Sequence, residues 1–442
     1  MEEKHLTRAI LIGADTGEYD AESSMDELSE LAKTAGAEEL ARVLQKREAY
    51  EPATVIGEGK LAEVKELCGS LGAELLIFDC ELTASQIRNV EDETDVRVID
   101  RTMLILDIFA GRAVSREGKL QVELAQLKYR LPRLMGIGAS LSRLGGGIGT
   151  RGPGETQLET DRRHIRRRID KLSAELKELE ERRGYARDRR KKDSVQVGAI
   201  VGYTNAGKST LLNLLTGADV LAEDKLFATL DPVVRTVKTP AGGEFLLVDT
   251  VGFISKLPHA LVDAFHSTLE EALLADVLLI VSDGASGEMI RQHDVVLEVL
   301  SSLGAADKPM IDVINKADLP GVTANEWPGA IAISAKKGEG LGALLEAIRL
   351  KLRGAARPMH AVIPYAQGGL LAKIHADGQV LGEEYTAEGI DVTALADEQL
   401  FGRLAAQLGE QAVTWQDEGK GAKNGVFFTD FGRPYAWHDD DV

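Results

Sequence analysis

Nine consecutive residues in the second half of the chain have the composition of a phosphate-binding loop. They read Gly-Tyr-Thr-Asn-Ala-Gly-Lys-Ser-Thr and fit the pattern G-x-x-x-x-G-K-S. The apolar run 196–201 precedes them and a helical pattern, 211–215, follows, which is the context that such a loop requires. In such a loop, backbone N–H groups surround phosphates at the positive end of a helix. The predicted triphosphate-binding residues are therefore Gly202, Tyr203, Thr204, Asn205, Ala206, Gly207, Lys208, Ser209 and Thr210.

Hydroxyl groups that could bind Mg²⁺ occur at two places. We expect the Lys208 ammonium to lie between the β- and γ-phosphates and the Ser209 hydroxyl to bind the metal ion. A second hydroxyl should come from Thr229, in a run that we also expect to contact the nucleotide. That run is Phe227, Ala228, Thr229, Leu230 and Asp231. Ser209 and Thr229 are thus the predicted metal ligands.

A carboxylate and a glycine complete the predicted phosphate site. The apolar run 245–248 ends at Asp249, Thr250, Val251 and Gly252, which fit the pattern D-x-x-G. We expect Asp249 to hold a Mg²⁺-bound water and the Gly252 N–H to contact the γ-phosphate, so that the following loop responds to the nucleotide state. The residues predicted to be catalytic in γ-phosphate hydrolysis are Lys208, Thr229 and Gly252.

Two further motifs predict which base is bound. Asn315, Lys316, Ala317 and Asp318 fit the pattern N-K-x-D. The Asp318 carboxylate can accept hydrogen bonds from N1–H and the N2 amino group of guanine, an edge that adenine lacks. Asn315 should tie neighbouring loops together, and the Lys316 stem should cover the base. Backbone donors to guanine O6 are expected at Ser334, Ala335 and Lys336.

These motifs follow apolar runs in order, and ligands bind at strand ends in open α/β sheets. The expected partners are therefore GTP and GDP. Phe253 stands where a glutamine orients the attacking water in Ras-like GTPases. Because phenylalanine cannot do so, we predict slow hydrolysis by the isolated protein and stimulation by a partner. Asn205 resembles a pattern seen in GTPases that recruit K⁺, so K⁺ is a second candidate cofactor beside Mg²⁺.

Four domains are predicted from the changes of pattern along the chain. Apolar runs alternate with helical patterns in three of them, which is typical of α/β folds. The remaining stretch is basic and helical. In chain order, the domains are an N-terminal α/β domain (1–111), a basic helical hairpin (112–193), a P-loop GTPase domain (194–355) and a small C-terminal α/β domain with an acidic tail (356–442).

In the N-terminal domain the pattern predicts a largely parallel sheet. Its strands are expected at 9–13, 54–56, 75–78 and 96–99, and its helices at 25–35, 60–71 and from about 85. In the C-terminal domain, strands are expected near 361–364 and 380–382, and helices near 370–376 and 395–408.

Leucine and isoleucine recur with heptad spacing in the basic stretch, on both sides of a glycine-rich interruption. Two such helices joined by a loop most simply form an antiparallel coiled-coil hairpin. Its tip is predicted at 136–154, which contains eight glycines together with Arg143 and Arg151. The tip could be a plain linker, or a mobile segment that becomes ordered on a partner. A dinucleotide fingerprint is a poor interpretation because no strand precedes the glycines.

Charge is distributed unevenly along the chain. The net charge is −19, yet residues 112–192 hold 22 Lys and Arg against 11 Asp and Glu. This segment could be a solvated charged helix, or it could attract a polyanion while the acidic remainder discourages nonspecific contact. On the second interpretation, RNA-binding residues are expected at Arg143, Arg151, Arg162, Arg163, Arg166 and Arg167.

Composition also predicts where the protein works. The two cysteines, Cys68 and Cys80, cannot form a disulfide framework and are expected to be reduced. The first residues do not form a secretory signal, and no apolar run approaches the roughly 20 residues of a membrane span. We therefore predict a cytoplasmic protein without a membrane span. We also expect a monomer, because the nucleotide site needs no partner copy.

Several segments outside the nucleotide motifs resemble the HflX family. They are 78–82, 98–102, 105–110, 120–127 and 149–163, the last reading Gly-Thr-Arg-Gly-Pro-Gly-Glu-Thr-Gln-Leu-Glu-Thr-Asp-Arg-Arg. Residues 249–253 match that family too, phenylalanine included. The resemblance, over about residues 10–350, implies a GTPase that binds the ribosome, chiefly the 50S subunit and its rRNA, and that splits or rescues stalled ribosomes under stress. Some relatives are also reported to use ATP through the N-terminal domain, but Gly57–Lys60 is too short to predict such a site.

Two other functions fit the nucleotide motifs. A GTPase subunit of a tRNA-modification system would share the phosphate loop and Asn205, but those relatives carry a C-terminal reactive cysteine, and this chain ends in Asp-Asp-Asp-Val. A nucleotide-gated scaffold would bind proteins through the coiled coil. RNA binding should weaken steeply with salt, whereas a protein-only scaffold should respond less.

Overall fold

The computed structural model of the protein describes residues 6–144, 153–192, 196–217, 226–227, 231–238, 244–256, 271–322, 327–352, 357–409 and 412–416. The chain divides into two compact units. One comprises Met1–Lys238 and Glu244–Leu352, and the other Thr239–Gly243 and Arg353–Val442. The predicted α/β fold class is confirmed.

The N-terminal sheet is parallel throughout, as predicted, with strand order β2-β1-β3-β4. Its strands are β1 (Thr7–Asp15), β2 (Ala37–Lys46), β3 (Leu75–Phe78) and β4 (Arg97–Asp100). Its helices are α1 (Ala21–Ala35), α2 (Glu58–Leu71), α3 (Ala84–Thr94) and α4 (Arg101–Arg112). Because side chains alternate between the faces of a strand, Leu11 packs in the cluster that contains α1 and α4, and Ile10 and Ile12 pack in the cluster that contains α2 and α3.

The prediction of a strand at 54–56 is wrong. Val55 forms only an isolated bridge with Glu51, and its φ of 70° does not continue a strand. The second strand is instead β2, which is not evident from the sequence because Ala, Glu, Leu and Arg favour helices. Its pairing along the whole of β1 overrides that local preference.

Two long helices, α5 (Arg116–Leu144) and α6 (Pro153–Lys192), form the predicted hairpin. The heptad residues of both helices pack together, namely Leu120, Leu124, Leu127, Ile169, Leu172 and Leu176. Arg168 donates to both carboxylate oxygens of Glu123, each at 2.7 Å, which fixes the helices side by side. The prediction that the tip begins at residue 136 is wrong, because α5 continues to Leu144. Residues 145–152, with Arg151, lie outside the described residues.

A second sheet of six strands follows, with order β10-β9-β8-β5-β7-β6, and only the β6–β7 pair is antiparallel. Its strands are β5 (Val197–Gly202), β6 (Val233–Lys238), β7 (Glu244–Asp249), β8 (Val277–Asp283), β9 (Met310–Asn315) and β10 (Ile331–Ala332). Its helices are α7 (Lys208–Thr216), α8 (Met289–Ser302) and α9 (Leu341–Leu352). The central strand β5 is flanked by β7 and β8, so the loop that leaves β5 lies between their carboxyl ends.

One apolar cluster joins the N-terminal sheet, the base of the hairpin and the second sheet. It includes Leu28, Phe109, Tyr129, Val201 and Phe253, all of them buried. This shared core explains why residues up to Leu352 belong to one compact unit. The domain boundaries within that unit stay predictions from the sequence.

The second unit contains an antiparallel sheet with strand order β12-β13-β11-β14. Its elements are β11 (Arg357–Ile363), α10 (Gly369–Asp377), β12 (Gln379–Tyr385), β13 (Ile390–Ala396), α11 (Glu398–Leu408) and β14 (Val413–Trp415). The helix expected from residue 395 begins later, because β13 extends to Ala396 and Asp397 caps α11 by accepting from the Leu400 N–H at 2.6 Å. The acidic tail lies outside the described residues.

Two predictions from composition can be compared with the structure. Cys68 and Cys80 are both free thiols, as expected. Burial, with a contribution from Asp79, raises the pKa of Cys80 to about 12, so this side chain stays protonated at neutral pH. Among the helices that the structure describes, none has the length and apolar character to cross a bilayer.

Candidate nucleotide-binding site

The phosphate loop joins the carboxyl end of β5 to the N-terminus of α7. Asn205 and Gly207 have φ angles of 59° and 92°, which turn successive N–H groups toward one side. A Cβ on Gly207 would lie 2.2 Å from Asn315 Nδ2, so only glycine fits at this position. The N-cap residue of α7 is Gly207, which has no side chain to cap the helix. The positive end of a helix favours a phosphate at this position.

Lys208 is buried, with 7% of its surface exposed, and its Nζ donates to the Tyr203 carbonyl at 2.7 Å. Desolvation lowers the pKa of Lys208 to about 8, although the Asp249 charge opposes the shift. A Cβ on Gly252 would lie 2.9 Å from Nζ, so this ammonium sits between the phosphate loop and the D-x-x-G glycine. The charges of a bound triphosphate would favour the protonated form.

Ser209 and Asp249 meet beside this lysine. Ser209 Oγ donates to Asp249 Oδ2 at 2.6 Å, and Asp249 is fully buried at the end of β7. Hydroxyl and carboxylate oxygens are the ligands that Mg²⁺ prefers. The residues present therefore fit a Mg²⁺ ion beside a bound nucleotide. The other expected ligand, Thr229, lies outside the described residues with its neighbours Ala228 and Leu230.

The segment after Asp249 runs along the phosphate loop. The Phe253 carbonyl accepts from the Thr204 N–H at 2.8 Å, and the Phe253 N–H donates to the Gly202 carbonyl at 3.1 Å. Thr250 Oγ1 donates to the Ile200 carbonyl at 2.8 Å. The Phe253 ring is 1% exposed and belongs to the shared apolar core. It therefore cannot orient an attacking water.

Asn315 ties two loops together, as expected. Its Nδ2 donates to the Ala206 carbonyl at 2.8 Å, and its Oδ1 accepts from the Ala335 N–H at 3.0 Å. The amide side chain thus fixes the phosphate loop relative to the segment 334–336. Because all four groups are buried, the distance between the phosphate-binding and base-binding motifs is set by the fold.

Asp318 lies at the edge of this arrangement. Ser334 Oγ donates to Asp318 Oδ1 at 2.8 Å, and this hydrogen bond lowers the pKa of Asp318, which keeps the side chain a carboxylate. Lys316 Nζ donates to Asp283 Oδ2 at 2.6 Å, so the lysine stem is held beside the carboxyl end of β8. The structure therefore brings the motifs 315–318 and 334–336 to the same edge of the sheet.

Comparisons with known proteins agree with this geometry. Residues 22–110, 112–190 and 197–316 match family models described as "GTP-binding GTPase N-terminal", "GTP-binding GTPase Middle Region" and "50S ribosome-binding GTPase". The GTPase HflX of Lacrimispora saccharolytica is 51% identical over 403 residues, which cover 90% of this chain and 95% of that protein. The chain belongs to the HflX family of GTPases. The predicted GTP hydrolase activity and family resemblance are thereby confirmed.

A second HflX relative, from Caldanaerobacter subterraneus subsp. tengcongensis, is 53% identical over 387 residues, or 88% of this chain and 90% of that protein. Among solved structures, a GTP-binding protein from Sulfolobus solfataricus in complex with GDP is 26% identical, with a TM-score of 0.43, and the match covers 78% of this chain and 99% of that one.

Tyr203 directs its side chain away from the nucleotide site of this HflX-family GTPase. Its hydroxyl donates to Glu27 of α1, accepts from the Ser255 N–H at 2.7 Å and lies 2.8 Å from Ser255 Oγ. Ser255 follows the D-x-x-G motif by three residues. The phosphate loop, the segment after Gly252 and the N-terminal region therefore meet at one hydroxyl group.

A buried charge cluster surrounds that meeting point, and sequence reasoning missed its role. Arg101 is 2% exposed; its guanidinium donates to Asp79 Oδ1 at 2.8 Å, to the Ser255 carbonyl at 3.2 Å and to Glu27. Lys256 Nζ donates to Asp79 Oδ2 at 2.7 Å. The available signal was the position of Asp79 and Arg101 directly after parallel strands, where polar side chains gather at one edge.

Phe227 and Asp231, two other predicted nucleotide contacts, also direct their side chains elsewhere. The Phe227 ring packs edge-on against Phe109, with 4.5 Å between centroids. Asp231 Oδ2 accepts from the backbone N–H groups of Val114 and Ser115, at 3.0 and 2.8 Å. Both side chains therefore contact the segment that leads into the hairpin, and they are not directed at a nucleotide.

The remaining predicted residues are placed as follows. Thr210 lies in the first turn of α7 and is half-buried, the Ala317 N–H donates to the Ile333 carbonyl at 3.0 Å, and Lys336 is exposed.

On α6, Arg163, Arg166 and Arg167 are exposed, while Arg162 is half-buried. Arg162 and Arg163 lie 3.4 and 3.7 Å from Glu159. Arg143 belongs to α5.

Proposed function

We propose that this GTPase binds the ribosome through its hairpin, chiefly the 50S subunit and rRNA, and in its GTP state splits or rescues stalled ribosomes. The observation that carries the proposal is the match of residues 197–316 to the 50S ribosome-binding GTPase family. The exposed arginines of α6 support the hairpin as the contact, because Lys and Arg side chains neutralise backbone phosphates. The proposal includes a cytoplasmic location and a monomeric state. Sedimentation of the purified protein tests the monomeric state.

The site residues have the following proposed roles. Backbone donors of the phosphate loop and Lys208 bind the phosphates, and Asp318 selects guanine. Ser209 and Thr229 would hold Mg²⁺, and Asp249 would hold a water bound to it. When bound there, the ion would supply positive charge that offsets the negative charge of the phosphates. The Gly252 N–H, adjacent to Lys208, donates to the γ-phosphate. This chain's own groups thus orient and neutralise the phosphates.

Slow turnover in the absence of a partner is also part of the proposal. Phe253 is buried, and no other side chain of the segment 250–256 replaces the missing glutamine. Charge or order must then come from elsewhere, and a supplied arginine accelerates other GTPases by roughly 10³–10⁵-fold. Asn205, exposed in the loop, supports K⁺ as a second source of positive charge.

The deciding experiment is GTP turnover with and without purified 50S and 70S particles, in K⁺ and in Na⁺ buffer. Reversing Arg162, Arg163, Arg166 and Arg167 to Glu should preserve GTP affinity and remove stimulation, because phosphate contacts become repulsive. A control with the same charge change reverses four exposed cations outside the hairpin, namely Arg8, Lys33, Lys46 and Lys65.

Full stimulation of the hairpin variant would exclude the hairpin as the rRNA-binding element. Absence of stimulation of the unchanged protein would contradict the ribosomal function itself. A salt-insensitive association would instead favour a protein scaffold.

A further inference from the structure

The carboxylate of Asp231 caps the N-terminus of the first hairpin helix. Oδ2 accepts from the N–H groups of Val114 and Ser115, and Oδ1 accepts from the Ser115 hydroxyl. Both oxygens therefore bind the two residues that directly precede α5. A carboxylate at a helix N-terminus benefits from the positive end of the helix dipole and from charge-assisted hydrogen bonds. The residue thus joins the start of β6 to the hairpin.

Ser115 passes this contact into the helix. Its hydroxyl donates to Asp231 and accepts from the Gly118 N–H at 2.8 Å, and its carbonyl accepts from the Lys119 N–H at 3.1 Å. A Cβ on Gly118 would lie only 2.4 Å from Asp231 Oδ1. The absence of a side chain at Gly118 is therefore what allows the carboxylate to reach the helix end.

Phe227 provides a second attachment to the same region. Its ring packs against Phe109 in α4, and both rings are at most 2% exposed. Phe227 and Asp231 thus contact the segment 109–118 from two points of the chain that are four residues apart. Val233, two residues after Asp231, begins β6 and pairs with Asp249, so the attached chain leads to the strand that holds this carboxylate.

The other hairpin helix also reaches this end of α5. Arg183 of α6 lies 2.6 Å from Glu117, and Arg116 lies 3.5 Å from Glu175. A displacement of either helix therefore moves the residues next to the Asp231 cap. Packed side chains and ion pairs of this kind couple elements because they have few alternative arrangements.

We propose that Asp231 is a positioning residue, and that its cap on α5 couples ribosome contact at the hairpin to GTP hydrolysis. The inference rests on the proposed function and names how the partner's signal enters the nucleotide site. Asp231 acts on the start of β6, where Val233 pairs with Asp249 of the nucleotide site, and it does not itself touch the nucleotide.

The test uses the full-length protein and measures GTP turnover over a range of 50S concentrations. Gly118→Ala should push the carboxylate off the helix, and Ser115→Ala should remove the relay. In both variants, maximal stimulated turnover should fall by roughly tenfold, as for the loss of one charge-assisted hydrogen bond. Basal turnover and the 50S concentration for half-maximal stimulation should stay within about twofold of those of the unchanged protein. A general folding defect would not lower maximal stimulated turnover alone.

Gly111→Ala is the matched control, because it adds the same methyl group in a helix nearby and would meet nothing within 4 Å. Asp231→Ala should lower stimulation, and adding Gly118→Ala to it should have no further effect, because the clash has gone. A further loss in that double variant, or full stimulation of Gly118→Ala, overturns the inference alone. No stimulation of the unchanged protein overturns the proposed function, and this inference with it.

Discussion

The parallel N-terminal sheet and the mostly parallel second sheet use the same edge in opposite ways. In each, acidic side chains stand at the carboxyl ends of strands, which is where open α/β sheets bind ligands. In the second sheet, Asp249 and Asp318 accept hydrogen bonds from serine hydroxyls, and glycines lie nearby. In the N-terminal sheet, Asp79 and Asp100 are bound by arginine, lysine and tyrosine side chains of the same chain.

Asp100 shows how completely the N-terminal edge is used. It accepts from the N–H groups of Leu82 at 3.1 Å and Met103 at 2.8 Å, from Arg133 at 3.1 Å and from the Tyr129 hydroxyl. The last two residues belong to α5. The edge therefore joins the hairpin and the second sheet to the first. The neighbours of a strand-end carboxylate, more than its position, therefore decide whether it serves a ligand or the fold.

The largest expected effect concerns the buried charge cluster. Arg101→Ala would leave Glu27 without its arginine partner and Asp79 with Lys256 alone, at a cost of about 3–5 kcal/mol in the free energy of unfolding. Urea unfolding followed by circular dichroism measures this. Arg42→Ala is the control, since Arg42 pairs with Asp26 and Glu39 at the surface and should cost at most about 1 kcal/mol. Equal losses would show that the N-terminal edge is not a structural junction.

The next effect concerns the two lysines that follow glycines in the two domains. Lys208→Ala removes a desolvated cation at the phosphate site, and losing such a charge costs about 2–5 kcal/mol, or roughly 30- to 5,000-fold in GTP affinity. Lys60→Ala, in Gly57–Lys60, should leave affinity for GTP and ATP unchanged, because Lys60 pairs with Glu63 at the surface. Calorimetry with both nucleotides tests the pair; loss of ATP binding in the Lys60 variant would contradict the comparison.

The smallest effect exchanges a carboxylate for an amide on each sheet. Asp318→Asn should weaken GTP binding by about 10- to 100-fold, since hydrogen bonds to charged groups are worth about 1.5–3 kcal/mol, and should leave stability unchanged. Asp100→Asn should lower the free energy of unfolding and leave GTP affinity unchanged. The reason is that an amide offers one acceptor atom where the carboxylate accepts four hydrogen bonds. If both variants lost GTP affinity and stability to the same extent, the two sheet edges would not differ in role.

Local motifs could be predicted from the sequence, and contacts distant along the chain could not. The phosphate loop needs only nine neighbouring residues, so Gly207, Lys208 and Ser209 were identifiable from their order. The hydrogen bond from Arg101 to Ser255 spans 154 residues, and that from Ser115 to Asp231 spans 116. No periodicity predicts such pairings, and for this reason the sequence predicts a nucleotide contact for Asp231, whose carboxylate instead caps α5. The strand β2 was missed because its residue types favour a helix.

Because the hairpin helices are long, a small rotation at their common base produces a large displacement at their far ends. At a rise of about 1.5 Å per residue, the 29 residues of α5 and the 40 of α6 extend about 43 and 60 Å. A rotation of only about 5° at the base would displace the far end of α5 by roughly 4 Å, comparable to the steps by which packed elements change arrangement. A small adjustment at the base of the hairpin therefore becomes a displacement of several ångströms at the other end of the arm.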